Sequence, residues 1–100
     1  MFKSKKKKIK EECWNIDYSF IQWLRPRLEI FKEDAGKAID LEFHKFEYKD
    51  IEYSQLELLD RMIELSSYLE DHYYDCEPEI VTMTYELLDL FSLTFRSLWW

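Results

Sequence analysis

Apolar residues recur along most of this chain at helical spacing. Around Asp17–Lys32, Ile16, Phe20, Ile21, Trp23, Leu24, Leu28, Ile30 and Phe31 fall on one half of a helical wheel, with Tyr18, Ser19, Gln22, Arg25, Glu29 and Lys32 on the other. The pattern predicts a first long helix, capped by Asn15 or Asp17 and ended by Gly36, the only glycine. Pro26 stands inside it. A proline there removes one backbone donor and crowds the carbonyl of Gln22, so a kink is expected with helix on both sides. A second long helix is expected from Glu52 to Asp71, with Leu56, Leu59, Met62, Ile63, Ser66 and Leu69 as its core stripe. A third opens at Glu77-Pro78, where a proline at the first helical position costs nothing. Ile80, Thr84, Leu87, Leu88, Phe91, Phe95 and Leu98 line its apolar face, and Glu86, Asp89, Ser92 and Arg96 lie opposite.

Residues 38–50 break the helical period. Ile39, Leu41 and Phe43 alternate with Asp40, Glu42 and His44, and Phe46 and Tyr48 alternate in a shifted phase. A short β-hairpin turning at His44-Lys45 fits this pattern, and so does an irregular or helical connection. Three amphipathic helices with short connections make a mainly α, three-helix bundle with a kinked first helix the economical fold.

Composition narrows the class. A chain of 100 residues that is 47% apolar and 18% aromatic can bury one core, and it is too apolar for a disordered chain. One glycine and two prolines leave too few turns for a sandwich or barrel. No apolar run reaches the roughly 18–20 residues of a membrane span. The first lysines are followed by Glu11 and Glu12 rather than an apolar run, so no secretion signal is expected. Cys13 and Cys76 are then expected as free thiols in a reducing cytoplasm.

The net charge of −7 is unevenly spread. Residues 1–10 hold six lysines, among them Lys5, Lys6, Lys7 and Lys8, and no acid. They read as a disordered basic arm, with 11–100 as one helical domain. The rest of the chain sets eight Lys and Arg against all 21 acids, and no Lys or Arg occurs from Met62 to Phe95.

No catalytic constellation emerges. The stretch Glu70–Cys76 gathers ligand types around His72, but it has no histidine pair at i,i+4 and no Cys-x-x-Cys. Neither cysteine has a His or Lys set beside it for nucleophilic work, and one glycine cannot build a phosphate loop. No enzyme, metal or cofactor is expected. What remains is surface. Glu57, Asp60, Glu64 and Asp71 fall within about 60° of one another and span about 21 Å at 1.5 Å per residue. The stripe is either a solvated face or a partner-binding one with charge spacing comparable to a phosphate backbone. Arg27 falls in the apolar half of the first helix, where it must snorkel or pair; the alternative is an anchor in an interface. Tyr73, Tyr74, Trp99 and Trp100 either pack back on the first helix or form a partner or dimer surface.

Two stretches carry a likeness. Cys13-Trp14-Asn15-Ile16-Asp17-Tyr18, with Trp23-Leu24-Arg25-Pro26-Arg27-Leu28 and Phe31-Lys32 after it, resembles the opening motif of a family of small, uncharacterised phage and prophage proteins. Leu88-Asp89-Leu90-Phe91 and Phe95-Arg96-Ser97-Leu98-Trp99 are similar to that family's closing motif, and Leu59–Ile63 fits its middle helix. The lysine arm and residues 36–50 depart from the family pattern. The resemblance implies a virus-encoded, helical, non-enzymatic accessory protein acting in the cytoplasm of a bacterial host. The leading expectation is an inhibitor that binds a host protein through the acidic face. A basic, nucleic-acid-handling defence complex such as a CRISPR effector is one target class. The alternatives are a nucleic-acid-associated regulator that uses the lysine arm and a small structural dimer.

Overall fold

The computed structural model describes residues 4–100. Its elements in chain order are α1 (Lys5–Glu12), a 3-10 turn (Cys13–Asn15), α2 (Ile16–Ala38), β1 (Lys45–Tyr48), β2 (Ile51–Ser54), α3 (Gln55–His72), α4 (Pro78–Thr94) and a closing 3-10 turn (Phe95–Ser97). Three helices pack together beside a two-stranded antiparallel hairpin, as a mainly α bundle requires. Helix α3 lies at the centre and packs along both α2 and α4. Its buried side chains are Leu58, Leu59, Met62, Leu65, Ser66 and Leu69. They meet Ile21, Leu24, Leu28, Phe31 and Ala35 of α2, and Ile80, Leu87 and Leu90 of α4. Among the described residues no helix is long and apolar enough to cross a membrane.

The start of α3 is fully bonded. Ser54 Oγ accepts from the Glu57 N–H, and the Glu57 carboxylate accepts from the Ser54 N–H at 3.0 Å, a reciprocal capping box. The next two donors reach the preceding connection: Gln55 N–H to the His44 carbonyl at 2.9 Å and Leu56 N–H to the Leu41 carbonyl at 3.0 Å. All the donors a helix start leaves over are thereby used.

Several boundaries differ from those expected. Gly36 does not end the first helix. Its φ is not positive, and α2 runs on to Ala38 because Ala35 continues the buried series from Phe31. The helix is continuous through Pro26. The second helix starts at Gln55, three residues later than expected, since Ser54 and Glu57 form the cap and Ile51–Ser54 is strand. The hairpin lies at 45–54 and turns at Lys49-Asp50, not at His44-Lys45. Both turn residues have positive φ, 51° and 66°. This is the left-handed conformation a two-residue hairpin turn demands, tolerated by Asp and unfavourable for Lys by about 1–2 kcal/mol. Residues 39–44 form a turn in which Asp40 accepts from the Glu42 N–H. Of the lysines expected in a disordered arm, Lys5, Lys6, Lys7, Lys8 and Lys10 lie on α1, whose cap is Ser4 accepting from the Lys7 N–H at 3.2 Å and none of whose residues is buried; the first three residues of that arm lie outside the described residues. On α4 the buried positions are Ile80, Leu87, Leu90 and Thr94, whereas Leu88, and Phe95 in the turn that follows, both expected in the core, are exposed. That helix is apolar nearly all round, so its wheel admits more than one orientation.

Gly36 offers a direct check on the extended α2. A Cβ added there meets only Leu41 Cδ1, at an ordinary 3.6 Å. Gly36→Ala should therefore raise stability by about 0.5–1 kcal/mol, the usual gain inside a helix. Urea denaturation followed by circular dichroism measures it, and a loss of stability would mean the helix stops before residue 36.

Candidate functional site

The acidic stripe resolves into separate pieces. Glu57, Asp60 and Glu64 line one shallow cavity of about 380 Å³ between α3, α4 and the hairpin, shared with Tyr48, Tyr53 and Glu86. Asp71 lies outside that lining, exposed near the end of α3. The three carboxylates differ in duty. Glu57 is committed to the α3 cap. Asp60 pairs with Lys32 of α2 at 2.5 Å. Glu64 receives Arg61 at 3.0 Å, while Arg61 also forks onto Glu86 at 2.6 and 2.9 Å. The hydrogen bonds from Arg61 hold the Glu86 carboxyl below its ordinary range against the opposing effect of burial. Asp60 and Glu64 keep side chains 52% and 71% exposed, so their pairs are loose, solvent-screened ones.

The hairpin adds acids that the sequence pattern did not disclose. Its register sets Glu47 directly across from Glu52. Both are exposed, and like charges so placed repel. Only the true turn position reveals that pairing.

The aromatic candidates separate into two groups. Tyr73 and Tyr74 belong to a clasp between the end of α3 and the start of α2. Their rings lie 5.9 and 5.3 Å from Tyr18. Tyr73 Oη donates to Asp17 at 2.6 Å, Tyr18 Oη donates to the Glu70 carbonyl at 2.6 Å, and Arg25 Nε donates to the Glu70 carboxylate at 2.6 Å. Tyr74 accepts from Asn15 and remains 65% exposed. Trp100 packs edge-on against Phe31, with centroids 5.5 Å apart. Trp99 is exposed, its Nε1 donating to the Arg96 carbonyl.

Arg27 and Trp100 line the same groove between α2 and the end of the chain, together with Trp23, Ile30, Phe31 and Phe95. Arg27 snorkels: its guanidinium donates back to the Trp23 carbonyl at 2.8 Å and lies 4.4 Å above the Trp23 ring. Trp23 and Ile30, expected in the core, are half exposed here.

Lys5, Lys6, Lys7 and Lys8 project from exposed α1. Cys13 and Cys76 are free and exposed. Among the described residues no group of three or more His, Cys, Asp or Glu could hold a metal ion. His44 stacks on Phe46, and His72 pairs with Asp75.

The tyrosine clasp predicts a pH signature. The Tyr73 hydrogen bond, helped by the Tyr18 N–H, holds the Asp17 carboxyl below its ordinary 3.8, so its stabilisation is full above about pH 4 and is lost as pH falls further. Burial, then the bond to Asp17, pushes the Tyr73 phenol up from 10.0 to about 12, so its stabilisation is full below pH 10 and fades towards 12. Tyr73→Phe abolishes the phenol's contribution and removes the largest single cause of Asp17's, leaving the share held by the Tyr18 N–H. Urea midpoints should show the gap between wild type and variant widest near neutrality and narrower at each extreme; a constant gap would contradict the clasp.

No protein-family model, curated protein or solved structure matches the chain, so its function is argued from surfaces and residue chemistry.

Proposed function

We propose that this protein is a non-enzymatic, phage-encoded accessory protein that binds a basic, nucleic-acid-handling host protein through its acidic face and blocks it. The observation that supports this reading best is the cavity in which Asp60, Glu64 and Glu57 converge with Glu86. Its outer carboxylates are held only by exposed pairs, which an incoming arginine or lysine can replace with bonds of the same kind. The absence of any Lys or Arg between Met62 and Phe95 extends the negative field along α3 and α4. Such a field steers a cationic partner and speeds its association. The likeness to small phage proteins supplies the viral setting, and a CRISPR effector is one complex with a fitting cationic channel.

A second reading rests on α1, where Lys5, Lys6, Lys7, Lys8 and Lys10 are all exposed on one short helix. They give affinity for phosphate backbones without reading bases. The acidic body opposes that use.

The test reverses Asp60, Glu64 and Asp71 to lysine. Glu57 is left alone because its loss would also remove one half of the α3 capping box and leave the Ser54 N–H without its acceptor. Exposed substitutions of this kind change stability by under about 0.5 kcal/mol each. The triple variant should keep its helical circular dichroism and lose the basic protein that the wild type captures from nuclease-treated host lysate. Leu59→Ala serves as a contrast, since it removes a fully buried side chain and should cost roughly 2–5 kcal/mol. Capture undiminished in the folded triple variant would sink the acidic-face reading. Binding of duplex DNA that weakens steeply with salt and disappears when Lys5–Lys8 become glutamine would support the second reading instead.

A further inference from the structure

The molecule carries more surface than its mass requires. Its accessible area is 7489 Å², whereas a compact monomer of this mass exposes about 6,200 Å². Its radius of gyration is 15.2 Å, against about 13 Å for a compact domain of this length. One contributor is α1, where nothing is buried. Another is the α2 groove with the apolar surface beside it. Trp23 is 50% exposed, Ile30 57%, Phe95 60%, Trp100 57% and the neighbouring Trp99 71%. At about 150–250 Å² per aromatic side chain, these exposed parts amount to roughly 600 Å² of apolar surface. That is at the upper end of what a monomer leaves uncovered. It approaches the roughly 800 Å² per partner of a stable interface.

We infer that this groove is the interface of a symmetric homodimer, in which α2 packs antiparallel against α2 of a second copy. Charge argues for a second copy as the occupant. The chain carries −7, and like acidic faces repel one another. The groove is the exception, since the only charged side chain lining it is Arg27. Seven residues on, at about 20° from Arg27 around the helix, stands Asp34. It is exposed and makes no ion pair within the described chain. An antiparallel copy whose two-fold axis passes between Ile30 and Phe31 brings each Arg27 opposite the other copy's Asp34. The surface is thus self-complementary, as an isologous interface requires. The apolar side chains supply affinity and the two crossed charge pairs fix the register. This inference does not depend on the acidic-face reading, whose residues lie outside the groove.

Sedimentation velocity over a range of concentrations, at moderate salt and with thiols reduced, tests it. The full chain should sediment at twice its 12.5 kDa mass as concentration rises. Ile30→Glu, at an exposed position, should leave the circular dichroism unchanged and raise the dissociation constant by roughly 30-fold or more, the effect of losing one central anchor. Arg27→Glu should weaken the dimer, and adding Asp34→Arg should restore it. A wild type that stays monomeric at high concentration would overturn the inference, as would an Ile30→Glu variant that dimerises unchanged. A charge swap without recovery would overturn the antiparallel register.

Discussion

Everything in this small fold depends on one helix burying side chains in two directions. Helix α3 has its apolar residues spread widely enough to meet α2 on one side and α4 on the other. Ser66, fully buried, keeps the packing close with a small side chain, and its hydroxyl donates to the Ile63 carbonyl. A helix so placed cannot leave its polar ends unpaired. Its start is closed by the capping box and by carbonyls of the 39–44 connection. Buried Gln55 extends the closure to the far end of the chain, its Nε2 donating to the Ser97 carbonyl at 2.9 Å. The hairpin, the connection and the C-terminal turn are thus all tied to the first turn of α3.

That arrangement also dictates where polar chemistry can go. With two sides of α3 buried, its acids share the remaining strip, and the chain's cations reach in from neighbouring helices to meet them. Arg25 and Lys32 of α2 reach Glu70 and Asp60, while Arg61 of α3 itself reaches Glu86 of α4. These bridges tie the three helices together at their rims, each in partly exposed surroundings where it contributes little to stability. Their larger effect is on register, because each salt bridge suits only one relative placement of two helices.

The sequence pattern was most legible where amphipathicity is strong. The α2 positions Ile21, Leu24, Leu28 and Phe31 and the α3 positions Leu59, Met62, Ser66 and Leu69 are buried as their period implies. It was least legible where one signal stood for two things. Gly36 reads as a helix end, yet it sits in helix because Ala35, too small to weigh in a wheel, continues the buried row. Lys49-Asp50 has no glycine or asparagine, so its left-handed turn left no mark in the composition. The apolar run of α4 and the surplus of aromatics signalled burial, but a three-helix arrangement centred on α3 has only so much interior. Trp23 and Phe95 lie outside it, and a wheel cannot distinguish a side chain that faces the core from one that faces an open groove. The stripe Glu57, Asp60, Glu64 and Asp71 was legible as a row of charges. Its division into a cap, an interhelical bridge, a local pair and an exposed acid depends on neighbours distant in the chain.

All four tryptophans lie at the surface, with Trp14 89% exposed, Trp99 71%, Trp100 57% and Trp23 50%. None is held in the sequestered apolar setting that gives a folded protein its blue-shifted emission. Unfolding therefore uncovers only the sheltered halves of Trp23 and Trp100, although the core that collapses is built mostly of leucine and isoleucine with Met62, Phe31 and Ala35. Intrinsic tryptophan fluorescence consequently reports the folding of this protein mainly through the half-covered Trp23 and Trp100. It is well placed to respond when something covers the groove, because the exposed halves of Trp23 and Trp100 would leave water at that moment.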